Sequence, residues 1–181
     1  TSWVAGALIW KWVLSPEYGA INNILALFGI EGPSWLQCSK WAMPAIVLAS
    51  VWKDMGYFGL MLMSGLQGIN QEYYDAAAID GAGKIKQFTR ITLPLLTPTL
   101  FFVLIISLIN SFQLFTQIMI MTPDGGPLGS TMVMVERIYK CGFRYYEMGT
   151  AAAYSWILFA ILLLLTMVQM KLQNKWVNYD D

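Results

Sequence analysis

From Ile91 to Pro123 the chain runs for thirty-three residues without one Asp, Glu, Lys or Arg. A second uncharged run extends from Met148 to Met170, and a third, Trp41 to Gln67, is interrupted only by Lys53 and Asp54. A hydrocarbon core about 30 Å thick takes roughly 20 apolar residues of helix, so each run is long enough to cross it. Backbone groups in hydrocarbon must satisfy their own hydrogen bonds, which for runs of this length means helices. Composition agrees, with 57% hydrophobic and 12% charged residues, against about 25% charged in an ordinary soluble domain. The chain therefore reads as all-α, a polytopic membrane helical bundle forming a single domain over residues 1–181. Its spans are expected at 41–67, 95–121 and 148–170, with a partial one at 1–14. Thr1 opens in an apolar stretch with neither an initiator Met nor a signal-peptide pattern, so the chain is expected to be a longer protein truncated at its N-terminus.

Composition also excludes several classes of function. Net charge is zero and no basic tract occurs, which argues against nucleic acid as a partner. There is no histidine, and Cys38 and Cys141 have no metal-ligand spacing, so no zinc site, Ser-His pair or redox CxxC can be assembled. The two cysteines read as unrelated small side chains. A membrane-embedded enzyme would need paired acids, a metal cluster or a nucleophile with its base, and the spans offer only Lys53 and Asp54.

Polar residues inside the apolar runs are the next constraint. Intramembrane charges are costly and face a partner helix or a water-filled path. Lys53 fits either reading: it can face a pathway, or pair with an acid. Gly56, Gly59, Ser64, Gly65 and Gly68 permit close helix packing. Ser107, Asn110, Gln113 and Gln117 fall within an arc of roughly 120° on a continuous helix. That face can pack on another helix, or it can line the route of a hydroxyl-rich solute, because amides both donate and accept. Upstream, Ser15 and Pro16 suggest a helix start, with Ile21, Ile24, Leu25 and Phe28 forming an apolar stripe suited to the membrane surface. Trp3, Trp10 and Trp12 suit the membrane-water interface. Thr131 to Phe143 reads as amphipathic, and Lys171 and Lys175 as the membrane edge of a polar tail.

Between the apolar runs lies a polar segment, Glu72 to Pro94. Asn70 can cap a short helix, with Glu72 and Asp75 in its first turns, where the helix dipole favours acids. Gly81 and Gly83 are expected to end that helix in left-handed conformations. A second helix is expected over Lys84 to Ile91, with Pro94 at its end or at the entry to the next run. Asp75-Ala76-Ala77, Gly81, Ile91 and Leu93-Pro94 stand at the spacing Glu-Ala-Ala, three residues, Gly, nine residues, Ile, one residue, Leu-Pro. In this the segment resembles the cytoplasmic EAA loop of permease subunits in binding-protein-dependent ABC importers. The departure is Asp75 in place of Glu, which shortens the reach of the carboxylate. Thr122 to Pro127 is similar to the Thr-Gly-Gly-Gly-Pro segment of sugar-importer permeases. Resemblance continues through Thr131, Ile138-Tyr139, Phe143, Met148-Gly149 and Ala151-Ala152-Ala153.

The resemblance implies the transmembrane domain of a type I ABC importer in a prokaryotic cytoplasmic (inner) membrane, of the maltose or glycerol-3-phosphate permease kind. It implies a second permease, two ATP-binding subunits, an extracytoplasmic solute-binding protein, a sugar as substrate, and contact with membrane lipid. It further implies that residues 68–94 form a cytoplasmic hairpin coupling the spans to the ATPase. Orientation comes from the resemblance alone, since basic residues number five on the hairpin side and four on the other, and the positive-inside rule decides nothing. No cofactor or metal is expected on this chain. Gly81-Ala82-Gly83-Lys84 is a poor phosphate loop, with Ala78 at the first glycine position and Ile85 at the hydroxyl position, so ATP belongs to the partner. The competing readings are a permease for another solute, such as glycerol-3-phosphate, and a channel or structural membrane subunit.

Overall fold

The computed structural model describes residues 2–177, the side chains of residues 174–176 excepted. The expected membrane-edge position of Lys175 lies outside the described residues. In chain order the helices are α1 (Trp3–Val13), α2 (Ala20–Leu27), α3 (Ser39–Gln67), α4 (Gln71–Ile79), α5 (Lys84–Leu95), α6 (Thr97–Phe112), α7 (Thr116–Met121), α8 (Met134–Tyr139) and α9 (Met148–Trp176). No strand occurs among the described residues. α3 and the Met148–Gln173 part of α9 are long and apolar enough to cross a membrane. α5 and α6 together meet the same test but are bent by 61°. α1 has 11 residues, a length of about 16 Å, roughly half the hydrocarbon thickness.

The helices fall into two compact units, Thr1–Asp54 with Asn110–Ala160, and Met55–Ile109 with Ile161–Asp181. In the first, Ala7 and Leu14 meet Ala45, Ile46 and Ala49 of α3 and Ile118 and Met121 of α7 in a buried cluster. The three alanines let backbones approach closely, and between helices in lipid it is this fit, rather than transfer from water, that supplies the attraction. Trp10 packs edge-on against Trp52, with ring centroids 5.8 Å apart.

α2 begins later than Ser15 and Pro16 suggest. Residues 16–18 form a turn, Gly19 caps the helix, and the Gly19 N–H donates to the Ser15 carbonyl at 3.0 Å. A Ser-Pro start signal is local, and here the chain uses it to turn a corner. Within α2, Asn22 is not idle: it donates to the carbonyls of Pro16 and Pro33 and accepts from Trp35 Nε1 at 2.7 Å, tying down the loop that follows. Ile21 packs against the core, whereas Leu27 and Phe28 are exposed. That leaves an apolar edge suited to lipid.

In the second unit α5 continues past Ile91 and ends at Leu95, next to Pro94. Pro94 has no N–H and its ring crowds the carbonyl four residues back. A π-turn over Phe88–Thr92 absorbs the disturbance, with the Leu93 N–H reaching back to the Phe88 carbonyl. The chain bends at Leu96, where Thr97 Oγ1 donates to the Pro94 carbonyl at 2.6 Å. Gly65 of α3 lies against Thr99 and Leu96, where a Cβ would meet Thr99 Oγ1 at 2.5 Å. Gly56 and Gly59, expected to pack in the same way, have nothing within 4 Å of an added Cβ.

The loop after α7 is held by two buried threonines of the first unit. Thr122 and Thr131 join their hydroxyls at 2.9 Å, and the Thr131 N–H donates to the Gly125 carbonyl at 2.9 Å. Between them Gly126 has φ +68° and Gly129 φ +72°. Gly129→Ala is expected to cost about 1–2 kcal/mol, the left-handed penalty alone. Gly126→Ala is expected to cost distinctly more, because the methyl would stand 2.6 Å from Thr131 Oγ1. Thermal unfolding of the two variants in detergent measures the order, and equal midpoints would show that Thr131 moves aside freely.

Candidate functional site

The polar hairpin is built by two local devices. Asn70 Oδ1 accepts from the Glu72 N–H at 3.1 Å, and its amide donates to the Glu72 carboxylate at 3.2 Å, so α4 starts where a polar cap stands. At the other end Gly81 has φ +73°. The Ala82 N–H donates to the Ala77 carbonyl and the Gly81 N–H to the Ala78 carbonyl, the two bonds of a Schellman motif. Gly83 differs from expectation. Its φ is −67°, and it caps the start of α5 rather than ending α4. Gln87 then closes the turn by donating its side-chain amide to the Ala82 carbonyl at 3.1 Å.

The hairpin's outer surface is unusually apolar for a polar segment. Ile79 is 87% exposed and Ile85 82% exposed, and both flank the turn. Asp75 and Ala76 are exposed on α4, Asp75 accepting from Gln71 at 3.3 Å, while Ala77 is half-buried. Gly81 and Leu93 are exposed, and Ile91 and Pro94 are half-buried. Sequence reasoning missed the bond that holds the two helices together, Tyr74 OH to Thr92 Oγ1 at 2.9 Å, with Thr92 buried. The two residues stand 18 apart in the chain, and no local pattern links them.

The polar stripe is not laid out on one helix. α6 ends at Phe112, residues 113–115 are non-helical, and α7 restarts at Thr116, so the expected single span over 95–121 is broken. Neither Pro nor Gly stands at the break. It follows Asn110, Ser111 and Gln113, and side chains of this kind offer the backbone alternatives to helical bonds. Asn110 and Gln113 are exposed, Ser107 on α6 is half-buried, and Gln117 on α7 is buried beside Ile118 of the core. The break thus separates Gln117 from the other amides.

Lys53 lies over the Trp3 ring at 4.4 Å from its centroid, with Asp54 at 3.8 Å. Both neighbours stabilise the ammonium without any solute. Outside the spans a second charged group forms, which sequence reasoning did not assemble. Asp124 accepts from Arg144 and lies 3.6 Å from Lys140, which pairs with Glu136 at 3.1 Å. The Arg144 guanidinium beside it holds the Asp124 carboxyl below its usual range. Glu136, Lys140 and Arg144 recur every fourth residue, a signal visible in the sequence, but Asp124 comes from the preceding loop. Arg137 lies apart, its charged form favoured by Tyr154.

Comparison with known proteins fits this geometry. The model of the binding-protein-dependent transport system inner membrane component matches residues 3–179. The sulfoquinovosyl glycerol transport system permease protein SmoG of Agrobacterium fabrum is 37% identical over 165 residues, 91% of this chain and 53% of that protein. The sn-glycerol-3-phosphate transport system permease protein UgpA of Shigella flexneri is 36% identical over 174 residues, 96% of this chain and 59% of that protein. A solved bacterial alginate ABC transporter, in complex with alginate pentasaccharide-bound periplasmic protein, is similar with a TM-score of 0.83 and 25% identity, covering 96% of this chain and 60% of that one. The chain therefore spans less than two thirds of the length of these relatives. Its long apolar helices and the match over nearly every residue lead to one conclusion: the chain belongs to the family of inner membrane components of binding-protein-dependent transport systems.

Proposed function

We propose that this chain forms part of the membrane path of an ATP-driven sugar importer. In this reading it works beside a second permease subunit, two ATP-binding subunits and an extracytoplasmic solute-binding protein. The observation that carries it is the hairpin: a rigid Schellman turn that presents two isoleucines, 87% and 82% exposed, outside the long apolar helices. An exposed apolar tip on a fixed turn is suited to a groove on a partner, and mechanical coupling needs an element that moves as a body. Asp75, Ala76, Ala77, Gly81, Ile91, Leu93 and Pro94 are the coupling residues of this proposal. ATP is bound and hydrolysed by the partner subunit, and this chain contributes no catalytic group.

The solute route is proposed along Asn110 and Gln113, with Ser107 toward its inner end. Non-helical backbone at membrane depth is tolerated where it lines a water-filled cavity or is buried in protein, and the break at residues 113–115 carries exposed amides beside it. The relatives support a hydroxyl-bearing solute: one is named for sulfoquinovosyl glycerol, one for glycerol-3-phosphate, one for alginate. Gln117, being buried, is reassigned to packing, and Lys53 to its contacts with Trp3 and Asp54.

Cysteine placed at Ala77 is expected to crosslink to the ATP-binding subunit and not to the solute-binding protein; crosslinking to the external partner would reverse the topology. Gly81→Val puts a β-branched residue at φ +73°. It is expected to leave the complex assembled but lower uptake per ATP hydrolysed by at least about tenfold, an effect of about 1.4 kcal/mol on coupling. Wild-type uptake at normal expression would remove the hairpin from the mechanism. Asn110→Leu and Gln113→Leu should assemble normally and change the rate or sugar preference of uptake, whereas Gln117→Leu should lower complex yield. Unchanged uptake in the first two, with normal yield, would leave the break a packing feature.

A further inference from the structure

The charged group outside the spans lines a cavity of about 350 Å³, within the roughly 300–1,000 Å³ typical of small-molecule sites. One wall is aromatic. Phe115 and Tyr139 have ring centroids 5.1 Å apart, and Tyr139 and Phe143 5.4 Å apart, making a continuous tilted row. The same cavity is also lined by Asp124, Glu136, Lys140 and Arg144. These are two carboxylates and two cations, so the lining is charge-balanced. A π-turn over Lys140–Arg144 follows α8, with the Tyr145 N–H donating to the Lys140 carbonyl at 2.9 Å, and both cations reach Asp124.

Glu136 is the informative member. It is 3% exposed, its Oε1 pairs with Lys140 at 3.1 Å, and its Oε2 is buried with no hydrogen-bond partner among the described residues. A buried carboxylate oxygen without a donor is costly, and each such atom asks what completes it. The missing group must donate. An ionised phosphate or carboxylate oxygen accepts rather than donates, and its charge finds no net positive charge here to hold it. A cation would be repelled by Lys140, which already occupies the other oxygen. A hydroxyl donates to Oε2 without disturbing the balance, and the apolar C–H face beside it can lie on the aromatic row.

We infer that this cavity is a second solute-binding site, outside the spans, that takes the hydroxyls and ring face of an uncharged sugar. The choice of a sugar rests on the importer reading above; the exclusion of anions rests on the cavity alone. Glu136 Oε2 accepts the hydroxyl, Tyr139 and Phe143 cover the ring, and the balanced ion pairs hold Glu136 in place.

The test is equilibrium binding by saturation-transfer NMR, with the full-length subunit in its intact transporter in nanodiscs. Maltotriose, raffinose and xylotriose serve as neutral probes and sn-glycerol-3-phosphate as the charged one. Asn110→Leu/Gln113→Leu, which removes the proposed route, is the background. At least one neutral probe is expected to bind in that background, about tenfold more weakly in Glu136→Gln, where a charged acceptor is lost, and more weakly in Phe143→Ala. Phe143 is 66% exposed, so its variant folds even if Glu136→Gln does not. The site is overturned if no neutral probe binds, if Phe143→Ala binds as tightly as the parent, or if sn-glycerol-3-phosphate displaces the neutral probe. Failure of the importer reading would instead appear in uptake by the unsubstituted transporter, which this binding measurement does not involve.

Discussion

A backbone in hydrocarbon must close its hydrogen bonds upon itself, and the rest of this structure follows from how that requirement is met and where it is relaxed. α3 and α9 meet it as continuous helices of 29 residues each, α3 holding Pro44 within it. Relaxations occur only where something else answers the freed groups. At Pro94 a π-turn reroutes the Leu93 N–H. In the loop after α7 the carbonyl of Gly125 is taken by the Thr131 backbone, and the Thr122 hydroxyl caps the Ile118 carbonyl at 3.3 Å. At residues 113–115 the Gln113 N–H turns back to the Asn110 carbonyl at 3.1 Å, and the proposed route for a polar solute runs beside this break.

The hairpin obeys the opposite logic. It is polar and short, and α4 has no buried residue, so its shape comes from caps rather than from packing. Asn70 at one end and Gly81 at the other supply them, and the Tyr74–Thr92 bond makes the two helices a single body. Burial of Thr92 keeps water from competing for that bond. A hairpin fixed in this way can expose isoleucines without collapsing around them. Rigidity and an exposed apolar tip are therefore two aspects of one design.

What could be read from the sequence divides along the same line. The all-α membrane class follows from uncharged runs whose length only helices accommodate. The start of α4 and the Gly81 turn were readable because capping and left-handed glycine are rules of a few consecutive residues. Errors arose where a local signal was overruled from outside its window. Ser15 and Pro16 look like a helix start, yet the chain turns there and begins α2 at Ala20. The helix expected over Lys84 to Ile91 runs on through the π-turn to Leu95, one residue past Pro94. The break after Phe112 carries no glycine or proline, so the 100° periodicity was carried across a gap it could not reveal. The charged cavity escaped because Asp124 meets Arg144 across 20 residues of sequence.

Two kinds of polarity result, and they suit different tasks. Asn110 and Gln113 are neutral amides, each able to donate and accept, which is why the solute route is proposed along them. Lys53 with Asp54, and Glu136 with Lys140, are ions already provided with partners. A compensated ion pair in a poorly hydrated place is difficult to break, because separation would strand both charges. Such pairs fix geometry. Glu136 is where the two roles meet, since one of its oxygens is committed to Lys140 and the other is held in place, buried and unmatched. Fixing one oxygen removes the rotational freedom a free carboxylate would lose on binding, so its second oxygen can take a weak donor at low entropic cost.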